Sequence, residues 1–397
     1  MTYDFTSVID RCGWDALAVE ALGQPGFPAA PKDGFDAIPM WVADMNFPTA
    51  PVIVEALHQR ADHPLYGYFQ APAHYYDSII RWHETRHGVT GLEAKHIGHE
   101  NGVLGGLMSA VQAVCGEDKR VLLHSPTYVG FTGTLTNAGY HIVHSPLFRD
   151  ENGVWRMDYA DMEAHFQSGI RTLVFCSPHN PTGRVWERQE VEAVAALCQK
   201  YGVTIISDEI WSDIILTGKH IPTQSVPAAK ERTVALYAPS KTFNLAGLVG
   251  SYHVIYNDEL RAAVRRQGSL SHYNNGNVLS MHALMAGYSC HGADWVDELC
   301  QTIGTNVNFA CTYIEKKFPG VSMARPQGTY MLFLDCTAWC EANGVTLDAL
   351  LQRGWDVGVA WQDGRPFHGK CHIRMNLALP LSRVQEAFDR LAKYVFV

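Results

Sequence analysis

No run of about 18 apolar residues occurs in the 397-residue sequence, so no segment has the length to cross a bilayer as a helix. Basic residues are in deficit: 31 Lys and Arg stand against 40 Asp and Glu, a formal charge of −9. That disfavours a general binder of nucleic acid or anionic membrane, because attraction to phosphate needs a positive surface. Internal repeats and low-complexity tracts are missing. With 47% hydrophobic and 18% charged residues, disordered, collagen-like and coiled-coil classes are excluded. The opening MTYDFTSVID has neither the basic start nor the apolar core of a secretory signal. C-x-x-C is absent, and the nearest cysteine pair, Cys336 and Cys340, has no histidine at zinc-finger spacing. Ten cysteines in so long a chain are not a disulfide scaffold; they read as reduced thiols, mostly core filler, of a cytoplasmic protein.

Histidine is plentiful, at 19 residues, and one H-E-x-x-H stands at His83-Glu-Thr-Arg-His87. On a helix the two imidazoles would share a face, as a zinc protease requires. The further histidine of the longer signature is missing near Glu93, so the motif reads as a solvated helix face and no metal is expected.

The length allows two or three domains. Short branched runs ended by turn chemistry predict buried strands at Arg120–His124, Arg171–Cys176, Thr204–Ser207 and Thr233–Ala238. Between them, Glu187–Tyr201 sets Val191, Val194 and Cys198 on one helical face and Glu190, Glu192 and Lys200 elsewhere. Such alternation argues for an α/β fold with a mainly parallel sheet covered by helices. The flanks differ: 1–45 is loop-rich, Asp294–Lys317 is helical, 326–334 reads as a turn feeding a strand, and His372–Asn376 reads as a strand before Pro380 and a closing helix. We expect a large α/β domain over 48–287 and a small α+β domain over 288–397, with the N-terminal segment 1–47 joining the small domain.

Ligands of open parallel sheets bind beyond the carboxyl ends of the strands. The proposed strands end in Ser125-Pro-Thr-Tyr128, Ser177-Pro-His-Asn-Pro-Thr-Gly183, Asp208-Glu209 and Pro239-Ser-Lys-Thr242. One cleft would then hold an aromatic ring, an amide, a carboxylate, a hydroxyl and an amine. Each alone is ordinary turn or cap chemistry. Together they suit a pyridine aldehyde cofactor, which needs a lysine to tether it, a carboxylate at its ring nitrogen, a stacked aromatic and donors for its phosphate. Lys241, Asp208, Tyr128 and Ser240 fit those needs.

The motifs at 177–186, Ser207-Asp-Glu-Ile-Trp-Ser-Asp213 and Ser240-Lys-Thr-Phe-Asn-Leu-Ala-Gly247 resemble those of fold-type I pyridoxal-phosphate enzymes in the class I/II aminotransferase superfamily. Pro39-Met-Trp-Val-Ala-Asp-Met-Asn-Phe47, His63-Pro-Leu-Tyr-Gly-Tyr68 and Arg81-Trp-His-Glu-Thr-Arg-His-Gly88 narrow the resemblance to the cystathionine β-lyase, or MalY/PatB-type C–S lyase, branch. The last of these gives His83 and His87 a context other than metal. The resemblance runs from about residue 2 to the C-terminal helix and implies a seven-stranded type of sheet in the large domain.

By that resemblance, Lys241 is the Schiff-base lysine and proton carrier, Asp208 pairs with the ring nitrogen, Asn180 bonds the ring hydroxyl and Tyr128 stacks on the ring. The backbone at Val103, Leu104 and Gly105 opens a helix that suits the phosphate, because its amide hydrogens and dipole favour an anion there. Ser240 adds a hydroxyl, and Tyr68 matches a tyrosine that reaches the neighbouring subunit's phosphate. Arg374 matches the arginine that grips the substrate α-carboxylate with two parallel bonds. A homodimer with shared sites is implied.

Three positions depart from relatives' patterns. Trp211 stands where many aminotransferases carry Tyr, Val249 where they carry a phosphate-binding Arg, and Asn46 where close relatives often have Asp. The first two lean toward the lyase branch. The expected reaction is β-elimination from cystathionine or a related cysteine conjugate, giving a thiol (homocysteine), pyruvate and ammonia. An aminotransferase using the same residues is the alternative, and a regulator-binding protein that carries the cofactor a lesser one.

Overall fold

The computed structural model describes residues 3–270 and 276–397. Its centre is a seven-stranded sheet: β1 (Ile97–Glu100), β2 (Arg120–Ser125), β3 (His141–Pro146), β4 (Thr172–Cys176), β5 (Thr204–Asp208), β6 (Thr233–Tyr237) and β7 (Ser251–Val254), in the spatial order β1-β7-β6-β5-β4-β2-β3. Strands β2 to β6 run parallel, and β7 is antiparallel to both its neighbours. All residues of β4 and β6 are buried, the continuous apolar run that a sheet covered on both faces demands. The four strands read from sequence lie within a residue of their expected ends. The other three, β1, β3 and β7, escaped because histidines interrupt their apolar signal: His99, His141, His144 and His253.

The helix expected from 187 spans Arg188–Tyr201, opened by a reciprocal Glu187–Glu190 capping box and closed by Gly202 at φ 65°. Val191, Val194 and Cys198 are buried as expected. Glu190 corrects the pattern: it is buried too, its Oε2 2.5 Å from the equally buried Arg184 and its Oε1 3.0 Å from Arg156. A charge can lie on the core face when it caps its own helix and meets two guanidiniums. Glu190→Ala removes that compensation while Arg184 stays buried, so it should destabilise the protein by about 3 kcal/mol. Urea unfolding of the variant beside wild type measures it; a change below about 1 kcal/mol, the surface-pair range, contradicts it.

The H-E-x-x-H stretch ends the helix Ala73–His87, and the expectation of a solvated face is wrong. His83 follows Ile79 by one turn and shares its buried face. Its Nε2 lies 3.0 Å from the Tyr252 hydroxyl, and burial pushes its pKa down to about 3, so the ring is neutral. His87 Nε2 meets Asp213 Oδ1 at 3.2 Å. The two rings therefore serve separate interior partners.

The chain's two ends meet. Ile38–Pro39 pairs in parallel with Val359–Ala360, and Asn376 N–H donates to Met40 O at 2.7 Å. An antiparallel four-stranded sheet orders Ser322–Met323, Met331–Asp335, His372–Asn376 and Gln362–Asp363 under the helices Cys290–Lys317 and Leu381–Tyr394. On these pairings we propose the division into 1–47 with 288–397 against 48–287; residues 1, 2 and 271–275 lie outside the described part. All ten cysteines are free thiols, five of them buried. No helix among the described residues is long and apolar enough to cross a membrane.

Candidate active site

Because β2, β4, β5 and β6 are parallel, their carboxyl ends open on one edge. Tyr128, Asn180, Asp208, Ser240 and Lys241 follow or end those strands, and all five line one cavity of about 240 Å³, together with Val103, Leu104 and Gly105.

Lys241 Nζ donates to the Ala43 carbonyl at 2.6 Å. Burial lowers its pKa to about 8; Asp44 and Asp208 oppose the shift, and Arg374 adds to it. Asp208 is buried at the end of β5, and its Oδ1 accepts from Ile210 N–H at 3.0 Å. Burial pushes its carboxyl up to about 7. A carboxyl held in this way is returned to its anion by a cation brought against it.

Tyr128 precedes the helix Val129–Asn137, its ring edge-on to Phe131 at 5.3 Å. Gly130 permits this pose: a Cβ there would lie 2.3 Å from the Tyr128 ring. Burial raises the Tyr128 pKa, so the hydroxyl stays protonated. The helix Val103–Val114 starts after Gly102 at φ 76°, a left-handed turn glycine makes without strain. Gly106 lets it seat on the sheet, since a Cβ there would lie 2.8 Å from Leu236. Its first turn faces the cavity with the positive end of the helix dipole. Val249 lines the same end at φ 46°, a conformation unfavourable for a β-branched residue.

Arg374 comes from the other sheet, on His372–Asn376, and is buried. Nη1 donates to Asn180 Oδ1 at 3.3 Å; Nη2 donates to Trp41 O at 3.0 Å and Gln362 Oε1 at 2.5 Å. The guanidinium lies over the Phe367 ring at 4.3 Å, and its Nε is buried without a partner. Burial lowers its pKa to about 10, which leaves it a cation at neutral pH.

Tyr68 is not in this cavity. Residues 61–70 are all exposed, Tyr68 completely, and it lines an adjoining groove of about 630 Å³ with Tyr66, Phe69 and His99. The two hollows abut at Gly250. Trp211 is buried, its ring 5.8 Å from Lys241 Nζ and edge-on to Tyr330 at 4.7 Å. Sequence reasoning missed Tyr330, Gln362 and the carbonyls of Trp41 and Ala43. A carbonyl carries no side-chain signature, and Gln362 lies in a stretch that only folding brings to Arg374.

The family described as aminotransferase class I and II matches residues 38–391. The cystathionine beta-lyase PatB of Bacillus subtilis is 34% identical over 366 residues, covering 90% of this chain and 92% of its own. The protein MalY of Escherichia coli is 29% identical, with 97% and 96% covered. Among solved structures, the PLP-bound C-S lyase of Staphylococcus hominis is similar with a TM-score of 0.88 at 27% identity, covering 98% of each chain.

Proposed function

This chain belongs to the aminotransferase class I and II family, and from that premise we propose that it is a pyridoxal-phosphate-dependent carbon–sulfur β-lyase acting on cystathionine or a related cysteine conjugate. The observation that carries the reading is the gathering of Lys241, Asp208, Asn180 and Tyr128 in one cavity with Arg374 against Asn180.

These residues fit the cofactor. Asp208 is a desolvated carboxyl suited to a protonated ring nitrogen, and Arg374 keeps a buried, unpartnered Nε. A helix start faces the same cavity and suits a phosphate. Lys241 would tether the cofactor, Asn180 would bond its ring hydroxyl, Tyr128 would stack on it, and Val103, Leu104, Gly105 and Ser240 would hold its phosphate. Bound there, pyridoxal phosphate supplies an electron sink for the substrate's Cα–H bond pair.

The chain's own groups do the rest. Arg374 grips the α-carboxylate and so fixes the direction of the Cα–H bond. Lys241 Nζ, with its lowered pKa, is neutral often enough near pH 8 to accept the Cα proton. Asp208, as an anion, holds the ring-nitrogen proton. Tyr128 keeps its hydroxyl proton and can deliver it to the departing sulfur, as can Lys241. The three-carbon remainder then hydrolyses to pyruvate and ammonia. Trp211 near Lys241 offers an indole N–H donor and no phenol.

Incubating the protein with cystathionine and no keto acid tests the reading: pyruvate and thiol should accumulate over many turnovers. A halt after one equivalent per site, with an amine left on the cofactor, overturns it in favour of the transaminase. We further propose a homodimer in which Tyr68 reaches the partner's cavity. Its support is the exposed run Leu65, Tyr66, Tyr68, Phe69 beside the large groove, an apolar patch that isolated chains seldom present. Sedimentation should then read twice the 44.1 kDa chain mass.

A further inference from the structure

The segment that leaves the Lys241 cavity at Ala43 carries, one residue on, an ion pair that the chemistry above does not use. Arg11 Nη2 lies 2.5 Å from Asp44 Oδ2, with the side chains 20% and 23% exposed. Arg11 Nη1 also donates to Asn46 Oδ1 at 3.2 Å and to Met45 O at 3.4 Å. Among the described residues, Asp44 is the acidic partner of Arg11, and Asn46 beside it is neutral.

The acidic half of the pair acts on the reacting nitrogen. Ala43 O is 2.6 Å from Lys241 Nζ, and the next Cα is about 3.8 Å along the chain. Among charged neighbours, Asp44 acts on the Lys241 ammonium ahead of Arg374 and Asp208. The segment is held from both sides. Asn376 Nδ2 donates to Val42 O at 3.0 Å and Asp44 O at 2.6 Å, and Asn244 exchanges two bonds with Met45 at 3.0 and 3.1 Å. A partly exposed pair adds only about 0–1 kcal/mol to stability, so clamping an already bonded segment does not account for it.

A second relation concerns length. Arg374 is anchored to Trp41 O and Arg11 to Asp44, so the two guanidiniums hang from points three residues apart on one segment. The Cα atoms of the two anchor residues are at most roughly 10 Å apart, so both guanidiniums stand on one short segment.

We propose that Arg11 and Asp44 form the distal subsite: Arg11 receives the carboxylate, and Asp44 the ammonium, of the leaving half of the substrate. This rests on the lyase reading above and assigns residues to its specificity. A distal zwitterion set against the pair makes four alternating charges, each beside opposite neighbours, while an S-alkyl chain offers the pair nothing. The site therefore favours conjugates whose leaving thiol is itself an amino acid.

Steady-state kinetics of the holoenzyme on cystathionine and on S-ethylcysteine test this with Arg11→Gln and Asn46→Asp. Arg11→Gln should raise KM for cystathionine about tenfold or more by loss of a charge-assisted bond, with S-ethylcysteine turnover within about twofold of wild type. Asn46→Asp should act in the same direction, by giving Arg11 a second carboxylate. Equal loss on both substrates, or no loss on either, overturns the subsite; S-ethylcysteine turnover itself reports that the variants fold. If wild type releases no pyruvate from either thioether, the lyase reading has failed, and the subsite with it.

Discussion

Lys241→Ala lowers pyruvate release from cystathionine by about 10⁴-fold or more and abolishes the near-visible absorbance of the holoprotein. The size follows from losing one nitrogen with two duties. As proton carrier alone, a positioned general base contributes about 10²- to 10⁴-fold. The same Nζ is also the tether for the cofactor, and no neighbour can replace it: the bases beside it are carboxylates, and Arg374 stays protonated. Removing the side chain leaves Ala43 O without its donor, but that carbonyl belongs to a half-buried segment that water can reach, so folding should survive. Absorbance spectra and a coupled pyruvate assay check both parts. Residual turnover within about tenfold of wild type would sink the assignment of Lys241.

Arg374→Ala carries the second largest effect. Its guanidinium is buried and triply bonded, and its Nε is the one nitrogen on it without a partner. Truncating one partner of a buried charge-assisted contact costs about 2–5 kcal/mol, or roughly 30- to 5,000-fold in kcat/KM. The loss should fall mainly on KM for cystathionine. Arg374→Lys should recover little, because an ammonium is a point charge and cannot make two parallel bonds from its place over Phe367. Thermal melts separate this from collapse: Asn180, Gln362 and Trp41 O also lose a donor, so some loss of melting temperature is expected, but cofactor absorbance should persist. An unchanged KM in a folded Arg374→Ala protein rules out the carboxylate role.

The strands carrying Tyr128, Asn180, Asp208 and Lys241 were legible because a parallel strand covered on both faces must be apolar along its length, and each ended in conspicuous turn chemistry. Strands β1, β3 and β7 were not. They are short or peripheral, and a histidine within them can be satisfied by a partner distant in sequence, as His253 Nδ1 is by Glu100 Oε1 at 2.6 Å. Glu190 and His83 mislead for the same reason. A polar side chain counts as exposed in a periodicity argument, yet Arg184, Arg156 and Tyr252 make burial tolerable, and none of them is its neighbour on the helix.

What the amino-acid order by itself determined was chemical kind: an alternating α/β chain, a lysine, a carboxylate, an amide and a phenol at successive strand ends, and motifs shared with one enzyme family. Those features are local, set by residue type and short-range periodicity. Only the tertiary structure decided proximity: that residues 41–46 and Gln362 come to Lys241 and Arg374, that Arg11 reaches Asp44, and that Tyr68 does not line its own chain's cavity. Such relations join positions up to some 333 residues apart, and their cause is the packing of one sheet against another, which short-range periodicity does not encode.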